Sequence, residues 1–240
     1  MRFPRSNPPE AVLLNTSGGL TDGDELNNSV HWRAGTQATV TTQAAERIYR
    51  AATRDFARVT TQISIDDDCI ACWLPQEMIV FDGARLRRSL EIDMTSNSRL
   101  LAIESTVFGR RAMGETVTSA HVSDRWRIRI DGRLAFVDHF LIDDELTTRV
   151  DEYLGRTAAA NSAHCLATMV IVVDDCEQVI ANARELDAPT DTLIGATSIG
   201  QLAVIRILAG DSQAMRTAVV RVIDSLNGIL DIELPRVWQC

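Results

Sequence analysis

Through roughly the first 140 positions, apolar and polar residues alternate in short runs, with turn sequences recurring about every ten residues, the period-2 pattern of an all-β segment. Ala57, Val59, Thr61, Ile63 and Ile65 fall on one face of such a run, which ends at the acidic turn Asp66-Asp67-Asp68. Ile79 to Phe81 and Ala84 to Ile92 flank Asp82-Gly83. Trp126, Ile128 and Ile130 alternate into Asp131-Gly132, and Leu134, Phe136 and Phe140 alternate out of it. Both Asp-Gly pairs predict two-residue hairpins of type I′. Arg99 to Phe108 is apolar on both faces except for Glu104, Ser105 and Thr106. A strand covered on both sides fits a two-layer or coiled β architecture better than one open sheet. A carboxylate inside it must be paired or wet, with Arg110 as an example of a partner.

After Leu141 the pattern changes. Asp143 to Thr157 is acidic and weakly patterned, a short helix or a loop. Leu166 to Val173 reads as a buried strand. Asp174 or Asp175 then caps a helix with Val179, Ile180, Ala183 and Leu186 inside, ended by Ala188-Pro189. Leu193 to Leu208 reads as a hairpin around Ser198 to Gly200. Asp211 or Ser212 caps a second helix, whose stripe Met215, Val219, Val222, Ile223 and Leu226 stops at Asn227-Gly228. The expectation is a mainly β chain with two α-helices in its C-terminal part, forming one domain over residues 1–240.

Composition narrows the function. No apolar run reaches the roughly 18 residues of a membrane span, and the N-terminus carries no secretory pattern, so the expected location is cytoplasmic. Five cysteines, an odd number, argue against a disulfide framework. Cys69 and Cys72 form a CxxC, but within a strand their sulfurs point to opposite faces. All 24 basic residues are Arg. Residues 143–240 hold 7 Arg and 15 acids of a chain whose net charge is −9. That acidity excludes nucleic acid, which binds a basic face.

Among catalytic signatures, G-x-S-x-G, HExxH and a P-loop are missing from the sequence, and His31, His121, His139 and His164 are dispersed. What remains is a set of carboxylates on or beside strands: Asp22, Asp24, Glu46, Glu77, Asp82, Glu104, Asp124 and Asp138. Facing an interior channel, such groups pass a divalent cation from oxygen to oxygen; paired closely, they do acid and base work. Two alternatives follow: a hydrolase using Glu46 with Glu104 or Glu77, and a stand-alone metal-binding protein using Cys69, Cys72 and histidines.

The ordered blocks LLNTSGGLTDGDEL, TTQAAERIYRA, WLPQEMIVFDGARLRR, ESTVFGRRAMGE, DRWRIRIDGRLAFVD and LPRVW resemble the motif series of the UreD (UreH) urease accessory proteins, over nearly the whole chain. The resemblance implies superhelically coiled, stacked β-sheets and a non-enzymatic scaffold of urease maturation. It implies UreF, UreG and the urease apoprotein as partners in a hetero-oligomer, nickel in transit through an internal tunnel, and no tightly bound cofactor. Asp24, Glu46, Glu77 and Glu104 are then the expected lining for ion passage. Two departures stand out. Family members usually carry further early strands before the block matching Arg2-Phe3-Pro4-Arg5, whose loss would expose a sheet edge. They also usually read Gly-Gly-Asp where this chain has Asp22-Gly23-Asp24, which questions the turn there if a glycine with positive φ is required.

Overall fold

A computed structural model describes residues 1–238 apart from 5, 7 and 145–148; the middle of the acidic segment Asp143 to Thr157 therefore lies outside the described residues. Alternating faces let the chain wind between two sheets. From β1 (Glu10–Leu13) in sheet one it passes to β2 (Glu25–Trp32) in sheet two, then back for β3 (Gln37–Thr42) and the short β4 (Glu46–Ile48). It crosses to β5 (Ala57–Ile65), returns for β6 (Ile70–Leu74) and β7 (Met78–Val80), crosses to β8 (Ala84–Met94), returns for β9 (Arg99–Phe108) and crosses to β10 (Ala120–Ile130). Each return lays a strand parallel to its predecessor, β2-β5-β8-β10 in one sheet and β1-β3-β6-β9 in the other. The result is the stacked β-coil expected from the resemblance.

β11 (Arg133–Asp143) closes sheet two antiparallel to β10. A short helix α1 (Val150–Gly155) follows. β12 (Cys165–Val172), β13 (Thr192–Ile199) and β14 (Leu202–Ala209) extend sheet one in the order β9-β12-β14-β13. The two expected helices are α2 (Cys176–Glu185), capped by Asp175, and α3 (Ser212–Ser225), capped by Asp211. They cover the outer face of sheet one: Met215, Val219, Val222, Ile223 and Leu226 are all buried where α3 packs on β12, β13 and β14. Sheet one is thus sandwiched between helices and sheet two, which is why β9 is buried along nearly its whole length.

The two Asp-Gly pairs behave differently. Asp131 (φ 49°) and Gly132 (φ 74°) both take positive φ and join the hydrogen-bonded β10 and β11 as a type I′ turn requires. Asp82-Gly83 is a corner rather than a hairpin: β7 and β8 belong to different sheets, and only Gly83 has positive φ. The Asp82 carboxylate fixes that corner, accepting hydrogen bonds from Thr118 N, Thr118 Oγ1 and Ser119 N at 2.8–3.0 Å. Leu134 also departs from its expected inward row. The ladder slips between Ile128 and Arg129, leaving Leu134 58% exposed.

The turn at Asp22-Gly23 is sound without a second glycine. Gly23 supplies the positive φ (81°), while the Asp22 carboxylate accepts from Ala52 N and Thr53 N at 3.0 and 2.8 Å.

Candidate functional site

Sheet one is interrupted at one level. β3 and β4 are separated by Gln43 to Ala45, and β6 and β7 by Pro75 to Glu77, where a proline without an N–H cannot continue the ladder. β9 runs through without a break. Its Arg99–Ala102 pair with β6 and its Thr106–Phe108 with β7, so Ile103, Glu104 and Ser105 pass the gap between the two partners. On its other side β9 stays paired with β12, with Thr168 opposite Glu104.

The core between the sheets is divided at this level. Below it lies a cluster that includes Trp32, Ile63, Leu90, Trp126, Phe136 and Val170; above it lies another that includes Val59, Leu86, Val122 and Phe108. Between them, eight strands each interrupt their inward apolar row with a polar side chain: Asn28, Thr61, Arg88, Asp124 and Asp138 from sheet two, and Glu104, Thr168 and Arg206 from sheet one. Asn28 Nδ2 donates to Thr61 Oγ1 at 3.3 Å, and Arg206 Nη2 meets Asp138 Oδ1 at 2.8 Å. The polar layer therefore runs as a stepped band from β2 to β14, shifted by two residues between Thr61 and Arg88 and between Asp124 and Asp138, and reaches solvent at Arg206, whose side chain is 48% exposed.

At its centre the Arg88 guanidinium lies 2.8 Å from Glu104 Oε2 and 2.6 Å from Asp124 Oδ2, and donates to Thr106 Oγ1 at 3.1 Å. All three charged side chains are at least nine-tenths buried. One cation faces two carboxylates, so the cluster carries a net negative charge when both are ionised. Burial, opposed by Arg88 and reinforced by Asp124, pushes the Glu104 carboxyl up to about 7. The two carboxylates raise the affinity of Arg88 for its proton against the cost of burial, which keeps it charged. Trp73 Nε1, Glu104 Oε2, Ser105 Oγ and Asp124 Oδ1 are buried without a well-formed hydrogen bond. Such atoms mark a place suited to water or an ion.

Two cavities adjoin the layer. One of about 270 Å³ is lined by Thr42 to Arg47 and Pro75, Gln76 and Met78 around the interruption, and reaches Thr61, Trp73, Arg88 and Glu104 within. The other, about 460 Å³, is lined by Phe108, His139, Phe140, Thr168, Arg206 and neighbours from α1 onwards.

The predicted lining residues can now be placed. Glu46 and Glu104 line the same cavity, Glu46 near the rim with its Oε2 accepting from Asn15 Nδ2 at 2.9 Å. Glu77 sits at the same interruption, its carbonyl accepting from Glu46 N, but its carboxylate turns to Arg216 at 3.7 Å. Asp24 lies apart, capping its own turn by accepting from Thr21 N at 2.9 Å. The partner of Glu104 is Arg88, not Arg110, which pairs with Glu115. Sequence reading missed Arg88, Thr168 and Arg206; the available signal was a single polar residue within an otherwise apolar alternating row. Cys69 and Cys72 enter different core clusters on opposite faces of sheet one. Burial pushes the Cys72 thiol up to about 12, and the opposite placement of the two sulfurs keeps them from sharing one ion.

A β-coil built around a buried charged layer that adjoins a cavity defines the class: a stacked, mainly β protein with a polar interior. Residues 1–239 match the family described as "UreD urease accessory protein". The chain is 40% identical over 241 residues to the urease accessory protein UreD of Chelativorans sp. (strain BNC1), covering 100% of this chain and 84% of that protein. It is 37% identical to UreD of Mesorhizobium japonicum, covering 98% of this chain and 81% of that one, and 36% identical to UreD 1 of Brucella melitensis, covering 99% and 84%. The chain belongs to the UreD family of urease accessory proteins, and its role is in urease maturation.

Proposed function

We propose that this chain is a non-enzymatic scaffold of urease maturation that binds the urease apoprotein, recruits UreF and UreG, and conducts nickel through its interior. The observation that carries the conduit is the gap in sheet one at Glu104, where a cavity meets the buried polar layer. Glu46 at the rim and Glu104 within supply oxygen donors in succession for a divalent cation. Glu77 flanks the same interruption from outside the cavity, whereas Asp24 stands away from this route. A Glu104 carboxyl that titrates near neutrality exchanges a proton for a passing cation, while Arg88 holds Asp124 in place and keeps the layer from binding the ion too tightly. Nickel is cargo on this reading, not a resident cofactor. Family membership and the length of this coil support the scaffold role. No helix among the described residues is long and apolar enough to cross a membrane; we place the protein in the cytoplasm with its partners.

The test pairs Glu104→Gln with wild type in cells expressing the cognate urease operon. Urease activation by the variant is expected to fall when nickel is limiting and to recover as nickel is raised, while co-purification with UreF is unchanged. Full activation of the variant at limiting nickel would remove the conduit. Failure of the wild-type chain to co-purify with UreF would remove the scaffold.

A further inference from the structure

We infer that His121, Asp143 and Asp144 form a binding site for one divalent borderline metal ion on the outer face of sheet two, separate from the polar layer. A cross-strand row runs over that face: Arg85 on β8 is opposite His121 on β10, which is opposite Asp143 on β11. Asp144 follows at the end of β11, held by a hydrogen bond from Ser119 Oγ. One ligand atom from each of His121, Asp143 and Asp144 lies within 4.8 Å of the others. Three donors bound at about 2.1 Å to one ion stand about 3.0–3.6 Å apart; His121 Nδ1 and Asp143 Oδ1 already meet this at 3.3 Å, and Asp144 closes the set by drawing inwards.

A second observation is independent of this spacing. Buried polar atoms lacking a hydrogen-bond partner concentrate in two places among the described residues. One is the polar layer; the other is this row, through Arg85 Nε, His121 Nδ1 and Asp144 Oδ1. His121 Nδ1 stands 3.3 Å from Asp143 Oδ1 without forming a hydrogen bond, and the Arg85 guanidinium reaches only to 3.9 Å from Asp144 Oδ1. Arg85 is instead stacked on Phe56, its Cζ 4.7 Å from the ring centre, and the same ring meets the His121 imidazole edge to face at 4.9 Å. Phe56 thereby fixes the imidazole and holds the competing cation aside. One imidazole nitrogen and two carboxylates favour nickel, zinc or cobalt over calcium or magnesium, which prefer all-oxygen shells.

The experiment titrates the purified full chain with NiCl2, and separately ZnCl2, by calorimetry, and records nickel-edge X-ray absorption on the loaded protein. Wild type is expected to show a site with imidazole in its coordination sphere, which the oxygen donors at the centre of the polar layer cannot supply. His121→Gln and Asp144→Asn should each weaken that site at least about tenfold and erase the imidazole contribution. Arg85→Gln should tighten it, by up to about thirtyfold for a divalent ion and a water-screened guanidinium about 4 Å away, a gain that misfolding cannot mimic. Glu104→Gln should leave it unchanged. Binding without imidazole, or His121 and Asp144 variants that bind as wild type does, overturns the proposal. Loss of all binding in Glu104→Gln also overturns it, assigning the metal to the polar layer alone.

Discussion

Glu104 shows how a single residue carries the energetics of the site. A buried ion cluster is held together only while every member is present, and here one guanidinium serves two carboxylates. The folded Glu104 carboxyl titrates at about 7 against 4.5 for an ordinary glutamate, so the folded state binds this proton more tightly than the unfolded state. Its contribution to stability is therefore fully present below 4.5 and is lost as pH rises through about 7. Within that window the slope from this residue is up to about 1.4 kcal/mol per pH unit. Melting temperatures measured across the window should fall less steeply with pH for Glu104→Gln than for wild type; parallel curves would place Glu104 in a wetter, uncoupled setting. The sequence marked Glu104 as a carboxylate needing a partner or water. It did not reveal the partner, because Arg88 is sixteen positions away and meets it only across the two sheets.

Among the elements, two identical dipeptides became different structures. Asp131-Gly132 joins strands that pair with each other, and Asp82-Gly83 joins strands that pair with others. A turn sequence specifies local φ and ψ but not the sheet that the next strand enters. At Gly83, φ is 76°, and an added Cβ would meet the Arg50 side chain at 2.9–3.0 Å. Gly83→Ala should thus cost about 1–2 kcal/mol through the left-handed backbone alone, read as a lower urea midpoint with unchanged slope. The helices were more legible. Asp175 and Asp211 each accept a hydrogen bond from the backbone N–H three residues on, and the apolar stripe of α3 went to the core, since β12, β13 and β14 offered an outer face to receive it.

The whole molecule is graded in protection. β12 is paired on both sides, β9 likewise except on one side at Ile103 to Ser105, and both are covered on both faces, whereas β2 and β13 are edge strands with one unpaired side. Amide hydrogen exchange should be slowest in β9 and β12 and faster by orders of magnitude in β2 and β13; uniform protection would contradict the layered arrangement. The sequence by itself determined the alternating strands, the late helices, the burial of β9 and the family, because each of these rests on local periodicity or on an ordered set of motifs. The tertiary structure alone decided which strands share a sheet, and that Asn28, Thr61, Arg88, Asp124, Asp138, Glu104, Thr168 and Arg206 fall in one stepped band. Along the chain these are isolated polar residues in apolar rows. Only the register of the coil, set by contacts between distant strands, gathers them into one layer.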